Sequence, residues 1–311
     1  MSAVVVVNMI STGAVQDGRE ITTHTSHATA STSSTPQTTQ AVPRQPYAIA
    51  DETITLVDPG GETPARGDEP AHPGRVLVTV IRRPVGLPGP LPLVVFAHGW
   101  NSNPTVYEPL LDAWAAAGYL VAAPTFPDST DTLPGPPTSS YPDQAGDIAY
   151  VITALTSGQA GPVDPTRIAV AGHSDGGTDI ALMALNPAYG DPRVRAYLSL
   201  SGEIPPNVPG PWNAAPAGSL LVAVGTDDEY GLLPKSTQVF NTARVASKVL
   251  FTVQGGDHLG TFIGSSPQSV AVRAETVRFL DTALRPGGAT SDQLLTALAP
   301  ADDPSIVVTA G

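Results

Sequence analysis

A serine stands between two glycines where an apolar run gives way to a helical pattern. The run Ile168–Ala171 precedes Gly172, Ser174 and Gly176, which have the spacing Gly-x-Ser-x-Gly. A sharp strand-to-helix turn exposes a serine Oγ, and its flanking positions must be glycine because a Cβ would collide with the neighbouring strand and helix. The alternative is a glycine-rich turn with a structural serine. The strand–turn–helix context favours Ser174 as a nucleophile, with the helix N-terminus offering N–H groups to an anion.

A serine nucleophile needs a base, and only one histidine follows Ser174 in the chain. His258 lies in the glycine-rich segment Gly255–Gly260, immediately after the last predicted strand. An imidazole at this place can take the serine proton during attack and return it to the leaving group. A single loop histidine can also be incidental, but its position and surroundings predict His258 as the base.

The base in turn needs a carboxylate that orients its ring and stabilises its cationic form. Asp227, Asp228 and Glu229 follow the seventh predicted strand, which ends at Gly225. We predict Asp228, three residues beyond Gly225, as the acid. Asp227 is the next candidate and Glu203 the third. The remaining carboxylates of the cluster are interpreted as a solvated acidic loop or a weak calcium site.

The oxyanion of a tetrahedral intermediate needs hydrogen-bond donors. The third predicted strand ends in the sequence His98-Gly99-Trp100, where Gly99 lets the backbone turn close to the nucleophile. We predict the backbone N–H groups of Trp100 and Asp175 as the two donors. His98 is interpreted as structural, tied into its loop by hydrogen bonds.

The elements that must position these residues alternate between strand-like and helix-like patterns. This alternation is typical of a mostly parallel sheet with helices on both faces, here with eight strands. The first two strands are joined by a Pro/Gly-rich loop and should form an antiparallel edge. The predicted strands are Ile54–Val57, Val76–Ile81, Leu93–Ala97, Leu120–Ala123, Ile168–Ala171, Ala196–Leu200, Leu220–Val224 and Val249–Val253. The predicted helices are Thr105–Ala117, Asp143–Thr156, Asp175–Asn186, Lys235–Ala246 and Gln268–Leu284.

These elements define one domain with a segment on either side. Residues 1–45 include a stretch rich in Ser and Thr that cannot bury enough apolar surface to fold, so they are predicted to be a flexible leader. Residues 46–285 form the predicted catalytic domain. Residues 286–311 are predicted to be a C-terminal tail with one short helix near Ser291–Leu298.

The composition limits what the protein can do. Hydrophobic residues make up 41% of the 311, which is enough for a core, and the net charge of −13 argues against binding nucleic acid. The chain has no cysteine, so disulfides and thiolate chemistry are excluded. Neither a transmembrane run nor an intact signal peptide is visible. We expect no cofactor or metal, a monomer, and a secreted or cell-surface location suggested by the Ser/Thr-rich leader, with the cytoplasm as the alternative.

Together these residues resemble the α/β-hydrolase fold, in the chain order Ser174, Asp228, His258. The resemblance covers nearly all of residues 50–285 and implies ester hydrolysis through an acyl-serine intermediate. The chain is also similar to the bacterial cutinase and polyester-hydrolase branch and to dienelactone-hydrolase-like esterases. It departs from the cutinase branch in having Asp175 where that branch usually has Met, and in lacking the cysteines of its C-terminal disulfide.

The segment between the sixth and seventh strands, Gly202–Gly218, is short and proline-rich, so it has no room for a large cap domain and predicts an open cleft. Within it, Trp212 resembles the tryptophan that helps to form the acyl-side wall in the cutinase branch; Trp100 is the second expected substrate contact. The leading hypothesis is a serine carboxylic-ester hydrolase acting on short- to medium-chain esters, small or polymeric. The alternatives are a polyester-degrading cutinase-like hydrolase, an acyltransferase on the same triad, and a non-catalytic binding module.

Overall fold

A nine-stranded, mostly parallel sheet organises the protein, whose computed structural model describes residues 45–298 and 306–311. Residues 1–44 of the predicted leader lie outside the described residues. The strands are β1 Ile49–Thr63, β2 His72–Pro84, β3 Leu91–Ala97, β4 Leu120–Thr125, β5 Val163–His173, β6 Val194–Leu200, β7 Ser219–Gly225, β8 Ser247–Val253 and β9 Ile306–Ala310. Their order across the sheet is β1-β2-β4-β3-β5-β6-β7-β8-β9.

Helices connect most of the strands, and their positions match the predicted ones within a few residues. The helices are α1 Glu108–Ala116, α2 Tyr141–Thr156, α3 Asp175–Leu185, α4 Leu232–Thr242, α5 Pro267–Ala283 and α6 Ser291–Leu298. A 3-10 turn at Pro104–Tyr107 takes the place of the first turn of the first predicted helix, because Asn103 accepts from the Thr105 N–H and Pro104 supplies no donor. None of the described helices has the length and apolar composition to span a bilayer.

The predicted α/β-hydrolase fold is confirmed, including the antiparallel pairing of β1 with β2. β3 to β8 run parallel, and β3, β6 and β7 are buried along nearly their whole length, as expected for strands covered on both faces. One core lies between the sheet and α2, α3 and α4; a second lies between the sheet and α1, α5 and α6. Because these strands are parallel, their carboxyl ends lie at the same edge of the sheet, where the loops that follow them meet.

The sheet has nine strands and not the predicted eight. Strand β9, from the stretch predicted as a tail, pairs antiparallel with β8 over Val249–Val253. Its Ile306 side chain is buried in the second core beside Leu294 and Leu298 of α6. A five-residue run after a polar segment gives a weak strand signal, and the open edge of β8 and the second core stabilise it. The elements after residue 285 thus pack on the same sheet.

A buried arginine holds the long loop between β4 and α2 against the body of the sheet. Arg75 of β2 forms ion pairs with Asp128 of this loop and with Asp147 of α2, the latter at 2.6 Å between Nε and Oδ1. Arg66 donates to the Pro127 carbonyl at 3.0 Å. Because charged groups are buried only when paired, these contacts fix the path of residues 126–140 towards the carboxyl edge of the sheet.

The packing of β9 predicts a difference between two neighbouring side chains. We expect Ile306→Ala to lower the free energy of unfolding by about 2–4 kcal/mol because it leaves a cavity in the second core. Val307, which is 47% exposed on the opposite face of the same strand, is the matched control, and Val307→Ala should cost less than about 1 kcal/mol. Urea titration of both variants checks this. Equal, small losses would mean that β9 does not pack on β8 in solution.

Candidate active site

Ser174 occupies a strained turn between β5 and α3. Its backbone has φ 59° and ψ −120°, a left-handed region that non-glycine residues rarely adopt. The Ser174 N–H donates to the Leu200 carbonyl at 2.9 Å, and the Ser174 carbonyl accepts from the Thr178 N–H at 2.9 Å. The turn is thus held on one side by β6 and on the other by α3, and the serine side chain is left at the carboxyl edge of the sheet.

The two flanking glycines are required by close backbone contacts. A Cβ on Gly172 would lie 2.2 Å from the Gly176 carbonyl oxygen, and a Cβ on Gly176 would lie 2.1 Å from that of Ala97. Both distances are far below van der Waals contact. The start of α3 therefore packs directly on the backbone of β3, which is the physical reason for the Gly-x-Ser-x-Gly spacing.

The structure brings Ser174, His258 and Asp228 together. His258 Nε2 lies 3.0 Å from Ser174 Oγ, and His258 Nδ1 lies 2.8 Å from Asp228 Oδ2. His258 and Asp228 are buried, being 4% and 8% exposed. Since an ionised carboxylate only accepts, Nδ1 carries a proton towards Asp228 and Nε2 of the neutral ring faces the hydroxyl as an acceptor. This is the arrangement in which an imidazole can take a serine proton.

The other candidate carboxylates have different contacts. Asp227 is exposed, and its carboxylate accepts a hydrogen bond from the hydroxyl of its neighbour Thr226. Glu229, interpreted from the sequence as part of a solvated loop, accepts from the backbone N–H of His258 at 3.0 Å. Glu203 pairs with Lys235 of α4 at 2.9 Å. Among the candidates, Asp228 alone reaches the ring of His258.

The two predicted oxyanion donors both line the cleft around Ser174. Asp175 is the first residue of α3, so its N–H has no partner within the helix. Trp100 lies in the loop after β3, with its side chain 53% exposed. His98 fixes this loop, because its Nε2 accepts from the Phe126 N–H at 3.0 Å and its Nδ1 lies 2.8 Å from the Gly99 carbonyl. Burial lowers the pKa of His98 to about 4, so the ring stays neutral in this role.

The cleft has a volume of about 710 Å³ and a mixed lining. Trp100, Tyr230 and Leu259 stand at its rim and are each more than half exposed. The Asp175 carboxylate accepts from Ser139 and from Tyr141, the latter at 3.3 Å. Burial raises the pKa of Asp175, and the nearby charge of Glu203 raises it further, against the lowering effect of the two hydroxyl donors. The loop fixed by Arg75 thus reaches the residue beside the nucleophile.

The structure does not bring Trp212 into this cleft, contrary to the expectation from the sequence. Its side chain packs against the core formed by α2, α3 and α4. Two hydrogen bonds tie its segment to the far end of α3: Ala214 N–H to the Leu185 carbonyl at 2.9 Å, and Asn186 Nδ2 to the Pro209 carbonyl at 3.2 Å. That end is about 15 Å along the helix from Ser174. Trp212 therefore cannot line a wall beside the serine.

The sequence did not lead us to predict a role at the site for three residues that lie there. Tyr230 packs its ring edge-on to His258, with centroids 4.6 Å apart. Tyr107 and His173 are buried behind Ser174, and the Tyr107 Oη lies 3.0 Å from His173 Nδ1. The 66-residue separation of this last pair hides it in the sequence. The available signal was a polar ring, His173, between the apolar run Ile168–Ala171 and the nucleophile.

The close contact at Gly176 predicts a large effect of one methyl group. We expect Gly176→Ala to lower the free energy of unfolding by about 1–3 kcal/mol or more, because the new Cβ must displace β3 or α3. Gly146 is the matched control, since it lies exposed in α2 with open space around it, and Gly146→Ala should raise stability by about 0.5–1 kcal/mol. Urea titration separates the two; a Gly176→Ala protein as stable as the wild type would refute the packing described for α3.

Comparison with known proteins agrees with this architecture. A solved structure of a ferulic acid esterase from Streptomyces cinnamoneus superposes with a TM-score of 0.64, covering 86% of this chain and 98% of that chain. The sequence identity is 20%, so the likeness concerns the fold alone. No curated protein sequence matches the chain. A family model described as the Alpha/beta hydrolase family matches residues 94–309. The chain therefore belongs to the alpha/beta hydrolase family.

Proposed function

We propose that the protein is a serine carboxylic-ester hydrolase that acts through an acyl-serine intermediate on short- to medium-chain esters. One observation carries the proposal: the hydroxyl of Ser174, the imidazole of His258 and the carboxylate of Asp228 form a continuous hydrogen-bonded line, with distances of 3.0 and 2.8 Å. The line ends at a strained, partly exposed serine in a cleft. This combination is what nucleophilic attack on an ester carbonyl requires.

In the first half of the reaction, Ser174 Oγ attacks the ester carbonyl carbon while His258 Nε2 takes its proton. The imidazolium is stabilised by Asp228, and the carbonyl oxygen becomes an anion facing the N–H groups of Trp100 and Asp175. The tetrahedral intermediate then collapses. The bond to the alcohol oxygen breaks, His258 returns the proton to that oxygen, and the acyl group stays on Ser174.

In the second half, a water molecule replaces the alcohol. His258 Nε2 takes one proton from the water as its oxygen attacks the acyl carbon, and the same backbone donors face the second oxyanion. Collapse breaks the bond to Ser174 Oγ, which recovers its proton from His258, and a carboxylic acid leaves. The two halves use the same three side chains, so no cofactor is required.

The shape of the cleft supports hydrolysis over acyl transfer. Acyl transfer to an alcohol succeeds only where water is excluded from the acyl-enzyme. Here the rim residues Trp100, Tyr230 and Leu259 are more than half exposed, and residues 201–218, between β6 and β7, contain no helix that could cover the site. The ferulic acid esterase of similar fold is also an ester-cleaving enzyme, which accords with this choice.

The polyester-degrading alternative has less support. It rested in part on Trp212 as a wall of the acyl site, and that side chain packs against the core formed by α2, α3 and α4. We therefore propose Trp100 as the aromatic substrate contact at the cleft, and short- to medium-chain esters as the substrates. The binding-module alternative is disfavoured because the line from Ser174 to Asp228 is complete.

The nucleophile is tested by removing its oxygen. Ser174→Ala should lower p-nitrophenyl ester turnover by about 10⁴- to 10⁶-fold, because no group can then form the acyl intermediate. A fluorophosphonate probe with mass mapping should label Ser174 in the wild type and leave the variant unlabelled. Ser157→Ala, at the end of α2, is the control and should behave as the wild type. Wild-type protein that neither turns over esters nor takes the label would favour the binding module.

The acid is tested by comparing two neighbouring carboxylates. Asp228→Asn should reduce turnover by about 10⁴-fold, since the amide no longer holds the Nδ1–H tautomer of His258. Asp227→Asn should leave turnover close to the wild-type value, because that side chain is exposed and does not reach the ring. The rates of both variants with the same p-nitrophenyl ester decide the matter; a reversed ranking would transfer the role of the acid to Asp227.

A further inference from the structure

A chain of hydrogen bonds runs behind the nucleophile and joins two loops of the site. The Gly99 N–H lies 3.2 Å from the Tyr107 Oη, the Tyr107 Oη lies 3.0 Å from His173 Nδ1, and His173 Nε2 lies 3.0 Å from the His258 carbonyl oxygen. Tyr107 and His173 are 2% and 0% exposed. The chain therefore runs through the protein interior, from the loop after β3 to the loop after β8.

The backbone groups at the two ends of the chain fix the directions of the first and last bonds. A backbone N–H can only donate, and a backbone carbonyl can only accept. Gly99 thus donates to Tyr107, the Tyr107 hydroxyl donates to His173 Nδ1, and His173 Nε2 donates to His258. The middle bond has this direction when His173 is neutral with its proton on Nε2, which leaves Nδ1 as an acceptor.

Burial maintains that protonation state. It lowers the pKa of His173 to about 3, with a further lowering from the charge of His258, and raises the pKa of Tyr107 to about 12. Both groups are therefore neutral at neutral pH. The chain keeps one direction while the neighbouring base gains and loses its proton.

The chain connects all three working segments of the site. Gly99 precedes Trp100, His173 precedes Ser174, and the acceptor at the far end is the backbone of His258 itself. The N–H of His258 is held separately by Glu229. Because the backbone of the base is fixed at both its N–H and its carbonyl, the distance from its ring to Ser174 depends on these contacts.

We propose that Tyr107 and His173 are positioning residues, whose hydrogen-bond chain sets the spacing between the oxyanion loop, the nucleophile and the catalytic histidine. This rests on the proposed function. Neither residue takes part in bond making. Their contribution is to hold the Trp100 N–H and the His258 ring where the transition state needs them, and it should therefore appear in kcat more than in KM.

The first test removes one oxygen atom. Tyr107→Phe should lower kcat for a p-nitrophenyl ester by about 10- to 100-fold, with KM changed by less than about threefold. Tyr119→Phe is the matched control, because that tyrosine is also buried and its hydroxyl also donates a hydrogen bond. Its acceptor is Asp281 of α5, at 2.7 Å. It should keep the wild-type kcat. Thermal unfolding of both variants separates lost stability from lost rate.

The second test asks whether the two residues act as one unit. His173→Leu removes both polar contacts, and His173→Gln keeps a donor for the His258 carbonyl. We expect Gln to recover most of the kcat that Leu loses. The double variant Tyr107→Phe/His173→Leu should lose no more than the worse single variant, since each change breaks the same chain. Losses that multiply would overturn the single-unit proposal.

A third readout does not depend on turnover. Nitrogen-15 NMR of histidine-labelled protein should show His173 neutral with its proton on Nε2 from pH 5 to pH 9, and a protonated or Nδ1–H ring would overturn the chain. Wild-type protein without ester turnover would refute the proposed function and the catalytic role of the chain together. Active wild type with a Tyr107→Phe kcat within twofold of it would refute the positioning role alone.

Discussion

The structure depends on a backbone-to-backbone contact between the start of α3 and the carboxyl ends of β3 and β5. No side chain fits there: a Cβ at Gly172 or Gly176 would come within about 2.2 Å of a carbonyl oxygen. This contact holds Ser174 in its strained conformation, which on its own would cost about 1–3 kcal/mol. The cost is met by the surrounding core, so the reactive hydroxyl stays in place without moving at the moment of attack.

The base is held as tightly as the nucleophile, but by polar contacts. The ring of His258 lies between Ser174 and Asp228, while its backbone is fixed by Glu229 and His173. Ser174 and His173 lie at the end of β5, and Asp228 and Glu229 lie in the loop after β7, so the parallel sheet acts as the common support. Much of this network is buried, where hydrogen bonds are stronger and unpaired groups are costly. The loss of one partner should therefore disturb the others.

The sequence predicted the parts of this protein that are governed by local rules. The buried parallel strands, the helix limits and the Gly-x-Ser-x-Gly turn follow from apolar patterning and steric requirements, and the fold was confirmed. The features that the sequence did not predict, or predicted wrongly, depend on contacts between distant segments. Strand β9 forms because β8 offers an open edge, Trp212 packs against the core because its loop is tied to the end of α3, and Tyr107 meets His173 across 66 residues. The grouping of Ser174, His258 and Asp228 was predictable because each follows a strand of the same sheet.

Because β9 pairs with β8, the resistance of the protein to heat inactivation depends on a sheet edge next to the active site. The loop that carries His258 leaves β8 directly after Val253, and Val253 is paired with Ile306. A five-residue edge strand opens more readily than the centre of a sheet. Once it opens, the bare edge of β8 can pair with another molecule, which is a common start of aggregation. Heat inactivation should thus begin at this edge, before global unfolding, so that β9 governs the working lifetime of the protein and leaves the rate of each turnover unchanged.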